Sequence, residues 1–508
     1  MASDAEKRLR EVPFTLDEPA PRVLGFWDQS AFWANLGVSL LAFSGAYTVL
    51  APDADGRPTI SIMAGIVAMA VGTIIGGLML GLAAVPGTRT GQPAMVLLRG
   101  LFGARLSYAP TILNIAQLIG WGTFELIVIA DAARELWDGV PRWGYVVAAG
   151  VITTVLTVWP LGSVRLLRRY VTVAVAIALV YFYVELVRQP LPDLTEGSWG
   201  GFWIGADAAL AVSISWVPVA ADYTRHSRTE RAAFGAASVG YSVTQIIAYV
   251  LGLLALALVA GDTTRVFDPF LGATLGVVFF AIFVLREADQ SFADTYSTAV
   301  SIQNLFPRAD RRVLSVLLGA GITVLALALD IGDYAGFLTL IGSVFVPMLG
   351  VLAADFFLGR RQHPSTSSGA TDPGASSDPT RADSDGASTV PGADLSSGGG
   401  EVVSAEIDAG AGGASGGGAL SKAEAAARLG GWDVSRRAPS RWGMIAAWAI
   451  GFVVYQLINP GTVEHWAGFW RDVQDALHFA PQGWMSASLL SFLVAGVAAL
   501  LIGRITRR

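Results

Sequence analysis

The 508-residue chain is 53% hydrophobic and only 15% charged, with a formal net charge of −6. A soluble domain carries about 25% charged residues, so this composition is that of a polytopic membrane protein. Having no cysteine, it cannot carry a disulfide framework, a thiolate metal site or a cysteine nucleophile.

The N-terminal stretch MASDAEKRLREVPFTLDEPAPR is polar and acidic, without the basic region and short apolar core of a cleaved signal peptide. Residues 1–27 are expected to form a cytoplasmic tail. Apolar runs of about 20 residues, enough to cross about 30 Å of hydrocarbon, then recur down the chain. Spans one to five are predicted near 30–50, 60–84, 109–130, 143–161 and 170–188. Spans six to ten are predicted near 201–222, 237–260, 271–303, 312–330 and 334–358, and spans eleven and twelve near 442–460 and 484–503. With the N-terminus inside, the inner segments hold Arg89, Arg99, Arg105, Arg165, Arg168, Arg169, Arg225, Arg228, Arg231, Arg308, Arg311, Arg312, Arg504, Arg507 and Arg508. The outer loops hold only Arg57, Arg134, Arg142, Arg188, Arg265 and Arg471. This asymmetry predicts two cytoplasmic termini in a cell (plasma or inner) membrane.

Span one carries Asn35, Gly37, Ser39, Ser44 and Gly45 at its centre, and span six carries Ser213, Ser215, Trp216 and Pro218. Lying five spans apart, they form a pair of interrupted helices at matching positions of two halves, a pattern that marks transporter binding sites. Gly and Pro are also common packing residues and kinks in membrane helices, which leaves that alternative open. In span three, Asn114, Gln117, Trp121 and Glu125 fall on one helix face, suited to stacking and hydrogen-bonding a flat heterocycle. The alternative is a Trp packed between helices with Glu125 paired to Arg286.

Span eight ends in READQSFADTYSTAVSIQNL, Arg286 to Leu305. Glu287, Ser291, Asp294, Ser297/Thr298 and Ser301 share one stripe at 3.6 residues per turn. Ionisable side chains at membrane depth are costly and usually face a cavity. Arg286, Glu287 and Asp289 are read as a buried structural ion-pair cluster. Residues 362–431 are rich in Ser, Gly, Ala, Asp and Pro and poor in large apolar residues, so they are expected to be a disordered cytoplasmic loop. A capping-box pattern at Ser421–Glu424 suggests one short helix within it. Residues 432–508 hold the last two spans.

The motifs NLGVSLL in span one, QLIGW in span three, WVPVAADYTR in span six and DTYSTAVSIQNL in span eight together resemble the nucleobase–cation symporter family, the purine/cytosine permease and hydantoin transporter group. The resemblance covers most of residues 25–358 plus two trailing helices. It implies an all-α fold of about twelve transmembrane helices: a LeuT-like core, residues 28–361, of two inverted five-helix repeats (about 28–190 and 200–360), and two C-terminal helices. It implies alternating access of spans one, two, six and seven against spans three, four, eight and nine. It assigns a cation site to the hydroxyls of Ser297 and Thr298 and the carbonyls of Asp294, Gly37 and Leu41. For the substrate it assigns Trp121 as the stacking ring, with Gln117, Glu125, Ser213, Ser215, Trp216, Asp294 and Gln303 around it.

Two departures stand out. Ser213 occupies the span-six position at which cytosine permeases carry an aromatic, and Asp294 stands where they carry an amide. The function so implied is import of cytosine, a purine, allantoin, hydantoin or a pyrimidine thiamine precursor, driven by Na⁺ or H⁺. No cofactor beyond that cation is expected. The implied partners are the nucleobase-like substrate and the lipid bilayer, with no nucleic acid, and the oligomeric state is left open. A LeuT-like carrier of an amino acid or small amine is the alternative, since Asp294 suits an ammonium. A membrane-embedded enzyme is remote: His226, His363, His465 and His478 lie in loops or near helix ends, and HExxH and phosphate-loop motifs are absent.

Overall fold

Backbone amides have no partner in hydrocarbon unless the chain pairs with itself, so a membrane-spanning chain resolves into helices or a closed barrel. The computed structural model describes residues 15–16, 20–50, 60–161, 170–262, 265–329, 334–359 and 432–506, and these are helical apart from loops and one isolated bridge, Leu24 to Ser227. The expected loop 362–431, with its Ser421 capping box, and most of the N-terminal tail lie outside the described residues.

Among the described residues, seven helices are long and apolar enough to cross a membrane, and three shorter apolar ones, Arg142–Val158, Thr172–Val187 and Trp442–Ile458, join them. Two further spans escape a simple apolarity count. Span one is split into Phe26–Leu36 and Leu40–Val49, and span eight, Gly276–Leu305, carries too much charge. Twelve spans result. Span six is Phe202–Ser215, a 3₁₀ turn Val217–Val219 and Ala220–Thr224, so both expected interruptions are present. Two elements were not foreseen. Ala94–Phe102 joins spans two and three, and the amphipathic Glu464–Ala476 joins spans eleven and twelve.

Span two, Ile62–Thr90, packs on span six, and the seventh, Tyr241–Leu258, on span one. Exchanging each span for the one five places along converts the first contact into the second. The pairings of span three, Tyr108–Leu136, with span eight and of span four, Arg142–Val158, with span nine, Arg311–Ala328, map onto themselves. This is the contact pattern of two related five-helix halves. Close approach of spans two and six depends on glycine, as membrane helix interfaces generally do. A Cβ on Gly72 would collide with the Ala206 carbonyl, and one on Gly76 would lie 2.6 Å from Ser213 Cβ. Span ten, Tyr334–Ala353, packs against the last pair, and Asp207 of span six accepts from Ser486 Oγ (2.6 Å) and Ala487 N (2.8 Å), capping the final helix Ala487–Thr506.

At the arginine-rich end, Arg441 makes two hydrogen bonds to Asp355 (2.8 and 2.9 Å) and donates to the Gly100 carbonyl, while Trp432 Nε1 donates to Asp355 (2.9 Å). Residues 432–441 thereby strap helix Ala94–Phe102 to the end of span ten. Gly72→Leu should force spans two and six apart. Overpacking of this kind costs about 1–3 kcal/mol, and the expected outcome is a lower thermal midpoint of the purified protein, whereas an equivalent change at Gly468, with open space around it, should leave the midpoint unchanged.

Candidate functional site

The break in span one leaves the carbonyls of one half-helix and the amides of the next without helical partners. Two adjacent residues of span eight supply them. Glu287 accepts from Ser39 Oγ (2.6 Å) and from Leu40 N (3.1 Å), at the N-terminus of the second half-helix. Arg286 donates to the Asn35 carbonyl at the end of the first half-helix, to Glu287 (2.9 Å) and to Gln290 (2.7 Å). The anion meets the helix end with positive dipole and the cation meets the negative one, each favourable by about 0.3–2 kcal/mol. Of the expected cluster the Arg286–Glu287 pair is formed, and it clamps the first span to span eight. Asp289 stands apart from it: buried, with an Oδ2 that meets no donor.

Above this clamp lies a narrow cavity. Ser39, Leu41 and Ala42 come from the span-one break, and Val212, Ser215 and Trp216 from the span-six break. Trp121 and Glu125 of span three, Gln245 of span seven, and Gln290 and Asp294 of span eight close the remainder. Trp121 is held edge-on against Phe337 of span ten, with ring centroids 5.2 Å apart and planes at 68°. An indole, two carboxyls and two amides converging between broken helices can stack a planar ring and read its edge.

The cation residues of the sequence reading are placed as follows. Thr298 Oγ1 donates to the Asp294 carbonyl (2.7 Å), and Ser297 Oγ donates to Tyr223 Oη (3.1 Å), which in turn donates to the Ala293 carbonyl (2.7 Å). Both hydroxyls are fully buried and keep lone pairs suited to a hard cation. Leu41 reaches the cavity. The Cα of Gly37 packs against span seven, where a Cβ would collide with Thr244 and come within 2.6 Å of the Tyr241 carbonyl.

The wall towards the arginine-rich end is built by the second half of span six. Asp222 accepts from Ala94 N (2.9 Å), capping helix Ala94–Phe102. His226 Nδ1 lies 2.8 Å from the Pro21 carbonyl and Nε2 accepts from Arg225 (3.3 Å), which fixes the neutral Nδ1–H tautomer. Burial first, and then the Arg225 guanidinium, push its pKa well below the usual imidazole value.

Residues 22–371 match the model of a family described as permease for cytosine/purines, uracil, thiamine and allantoin. The chain belongs to this permease family. A hydantoin permease of Microbacterium maritypicum is 24% identical over 381 residues, 68% of this chain and 75% of that protein. The permease has the fold of Mhp1, a nucleobase-cation-symport-1 family transporter. The closed form with bromovinylhydantoin bound matches with a TM-score of 0.67 at 17% identity, over 98% of this chain and 94% of that one. The inward-facing form gives 0.61 at 15% identity, over 100% and 94%. A Na⁺-coupled sialic acid symporter gives 0.52 at 13% identity, over 70% of this chain and 83% of that one. The permease is thus a LeuT-like transporter and not an enzyme.

Within the permease, three residues assigned to the substrate lie outside the cavity wall. Gln303, about 13 Å along the helix from Asp294 at 1.5 Å per residue, donates to the Ala309 carbonyl (2.8 Å) and braces the turn into span nine. Ser213 points at Gly76 of span two, and its neighbour Trp216 presents the aromatic ring of span six instead. Gln117 donates to Asn114 Oδ1 (2.8 Å) and to the Ser215 carbonyl (3.4 Å), so it braces the span-six break from behind. Likewise Ser301, though on the polar stripe, meets Asn114 of span three (2.9 Å). Gln245 and Phe337, from spans seven and ten, were not singled out in the sequence. Glu287→Leu leaves Arg286 buried and unpaired, for which about 3–5 kcal/mol of destabilisation is expected. In a double-mutant cycle Arg286→Met should recover part of that loss, read as thermal midpoints of the purified protein.

Proposed function

We propose that the permease imports a planar nitrogen heterocycle with N–H groups on its edge, such as a hydantoin, allantoin, a purine or a pyrimidine, in symport with a monovalent cation by alternating access. The observation that carries this reading is Trp121 with Glu125 one turn further on, both in the cavity wall at the meeting point of the two broken helices. The ring stacks on the indole. The carboxyls of Glu125 and Asp294 accept from its N–H groups, while Gln245 and Gln290 can donate to its carbonyls. The cytosine, purines, uracil and allantoin by which the matched family is described, and the hydantoin of the Microbacterium permease, belong to this chemical class. The arginine-rich end is assigned to the cytoplasm, with both termini there and the protein in the cell membrane.

Uptake of labelled cytosine, purines, allantoin, hydantoins and pyrimidine thiamine precursors in a transport-deficient host tests the proposal. Gradient-dependent uptake of at least one is expected; no uptake of any, with protein present in the membrane, would refute it. Stacking of a base on an aromatic side chain contributes about 1–3 kcal/mol. Trp121→Ala should accordingly raise the apparent KM for the transported compound by about 5- to 150-fold, and an unchanged KM would remove Trp121 from the site.

A further inference from the structure

At the arginine-rich end, away from the substrate cavity, helix Ala94–Phe102, the turn after span eight and the strap of residues 432–441 enclose an open cleft of about 390 Å³. Gln92, Arg99, Pro307, Asp433, Ser435 and Arg436 stand in its wall. The strap is closely seated. A Cβ on Gly100 would lie 2.7 Å from the Trp432 indole, and Trp432 Nε1 and Arg441 both donate to Asp355. Packed elements therefore give the cleft its shape.

Arg99 is the unusual member of that wall. It is only 7% exposed, and among the described residues its one hydrogen bond runs from Nη2 to the Asn304 carbonyl at the end of span eight (2.7 Å). No carboxylate among the described residues pairs with it. A guanidinium carries five donors and a permanent charge, and a buried charge ordinarily has a counter-ion. Arg436, exposed, brings a second guanidinium to the same cleft. Asp433 does not balance the two, since it is one carboxylate and its Oδ1 accepts from Ser435 N within its own turn (2.8 Å). Further donors are at hand. Ser435 Oγ accepts from Arg437 N (3.2 Å) and so has its proton to give, and Gln92 offers an amide.

We propose that this cleft binds a phosphate-bearing anion, at a second ligand site separate from the substrate cavity. A phosphate group offers tetrahedrally placed oxygens, which guanidinium, amide and hydroxyl donors can meet from several sides, whereas a planar carboxylate is met in one plane. Two sources carry this chemistry. Anionic phospholipid headgroups lie at the cytoplasmic surface and are held by basic pockets at that depth; a soluble phosphate ester satisfies the same groups. Held there, the anion gives Arg99 its counter-charge and joins helix Ala94–Phe102 to the strap. Asp222 of span six caps that helix, and Arg99 ties it to span eight. Occupancy therefore restrains the movement of span six against span eight, and the site is regulatory.

The test uses the full-length purified protein in neutral detergent and needs no transported compound. Its thermal midpoint is followed in two titrations, inorganic phosphate against chloride at equal ionic strength, and phosphatidylglycerol against phosphatidylcholine in the micelle. At least one should raise the midpoint saturably. The half-saturating concentration should then increase by about tenfold or more in Arg99→Gln, which keeps a donor for the Asn304 carbonyl, and in Arg436→Gln. A rise with phosphatidylglycerol alone assigns the site to a lipid headgroup, a rise with phosphate alone to a soluble ester, and a rise with both to the group they share. No saturable rise in either titration, or a rise that both variants retain unchanged, would overturn the proposal. If Arg99→Gln does not fold, Arg436→Gln, a change to an exposed side chain, decides alone. None of these outcomes depends on which compound the permease carries.

Discussion

An interrupted helix in a membrane protein survives only if something replaces the hydrogen bonds it gives up, and here the replacement is a single ion pair. Arg286 takes the Asn35 carbonyl and Glu287 takes the Leu40 amide and the Ser39 hydroxyl. Such a pair is a poor source of stability on its own, because desolvating two charges offsets most of their attraction. Its value lies in fixing one geometry: the guanidinium and carboxylate are adjacent on span eight, so the two half-helix ends are held at the spacing that this dipeptide dictates. The cavity wall at Ser39, Leu41 and Ala42 exists because of that spacing.

The opposite end of the site is controlled by a second set of caps. Asp222, in the second half of span six, holds the first amide of helix Ala94–Phe102, and its neighbour Tyr223 reaches the Ala293 carbonyl of span eight. Arg99, on the same short helix, donates to the Asn304 carbonyl (2.7 Å) further along span eight. Residues 432–441 bind that helix to Asp355. Movement of span six relative to span eight must therefore strain or break contacts of Ala94–Phe102. The symmetry of the core is thus incomplete: at one break a buried ion pair supplies the caps, whereas at the other Gln117 of span three donates to the Ser215 carbonyl and Asp222, past the break, caps the buried helix Ala94–Phe102.

What was legible in the sequence is what local pattern encodes. The spans, both breaks and the dense burial of Arg286 to Asn304 follow from apolar runs and from the positions of glycine, proline and charge. Trp121, Glu125, Trp216 and Asp294 were found because a polar or aromatic group in an apolar helix stands out. Gln303 and Ser213 show the limit of that logic. Periodicity says which residues share a stripe, but span eight is buried on every side from Arg286 to Ser301, so successive members of one stripe meet different neighbours: Glu287 the first span, Asp294 the cavity, Ser301 Asn114. Helices Ala94–Phe102 and Glu464–Ala476 were invisible because one is only nine residues long and the other is polar on much of its surface. Gln290 bridges cluster and cavity, accepting from Arg286 while lining the wall.

That bridging position has a consequence for selectivity. A carboxylate can only accept hydrogen bonds, a protonated carboxyl can also donate, and an amide does both. The cavity offers two carboxyls and two amides, so its pattern of donors and acceptors depends on where protons reside as much as on which residues are present. Protonated, Glu125 or Asp294 presents a donor as well as an acceptor to a bound ring; ionised, each presents acceptors alone, and a neutral ring then meets two negative charges in one wall.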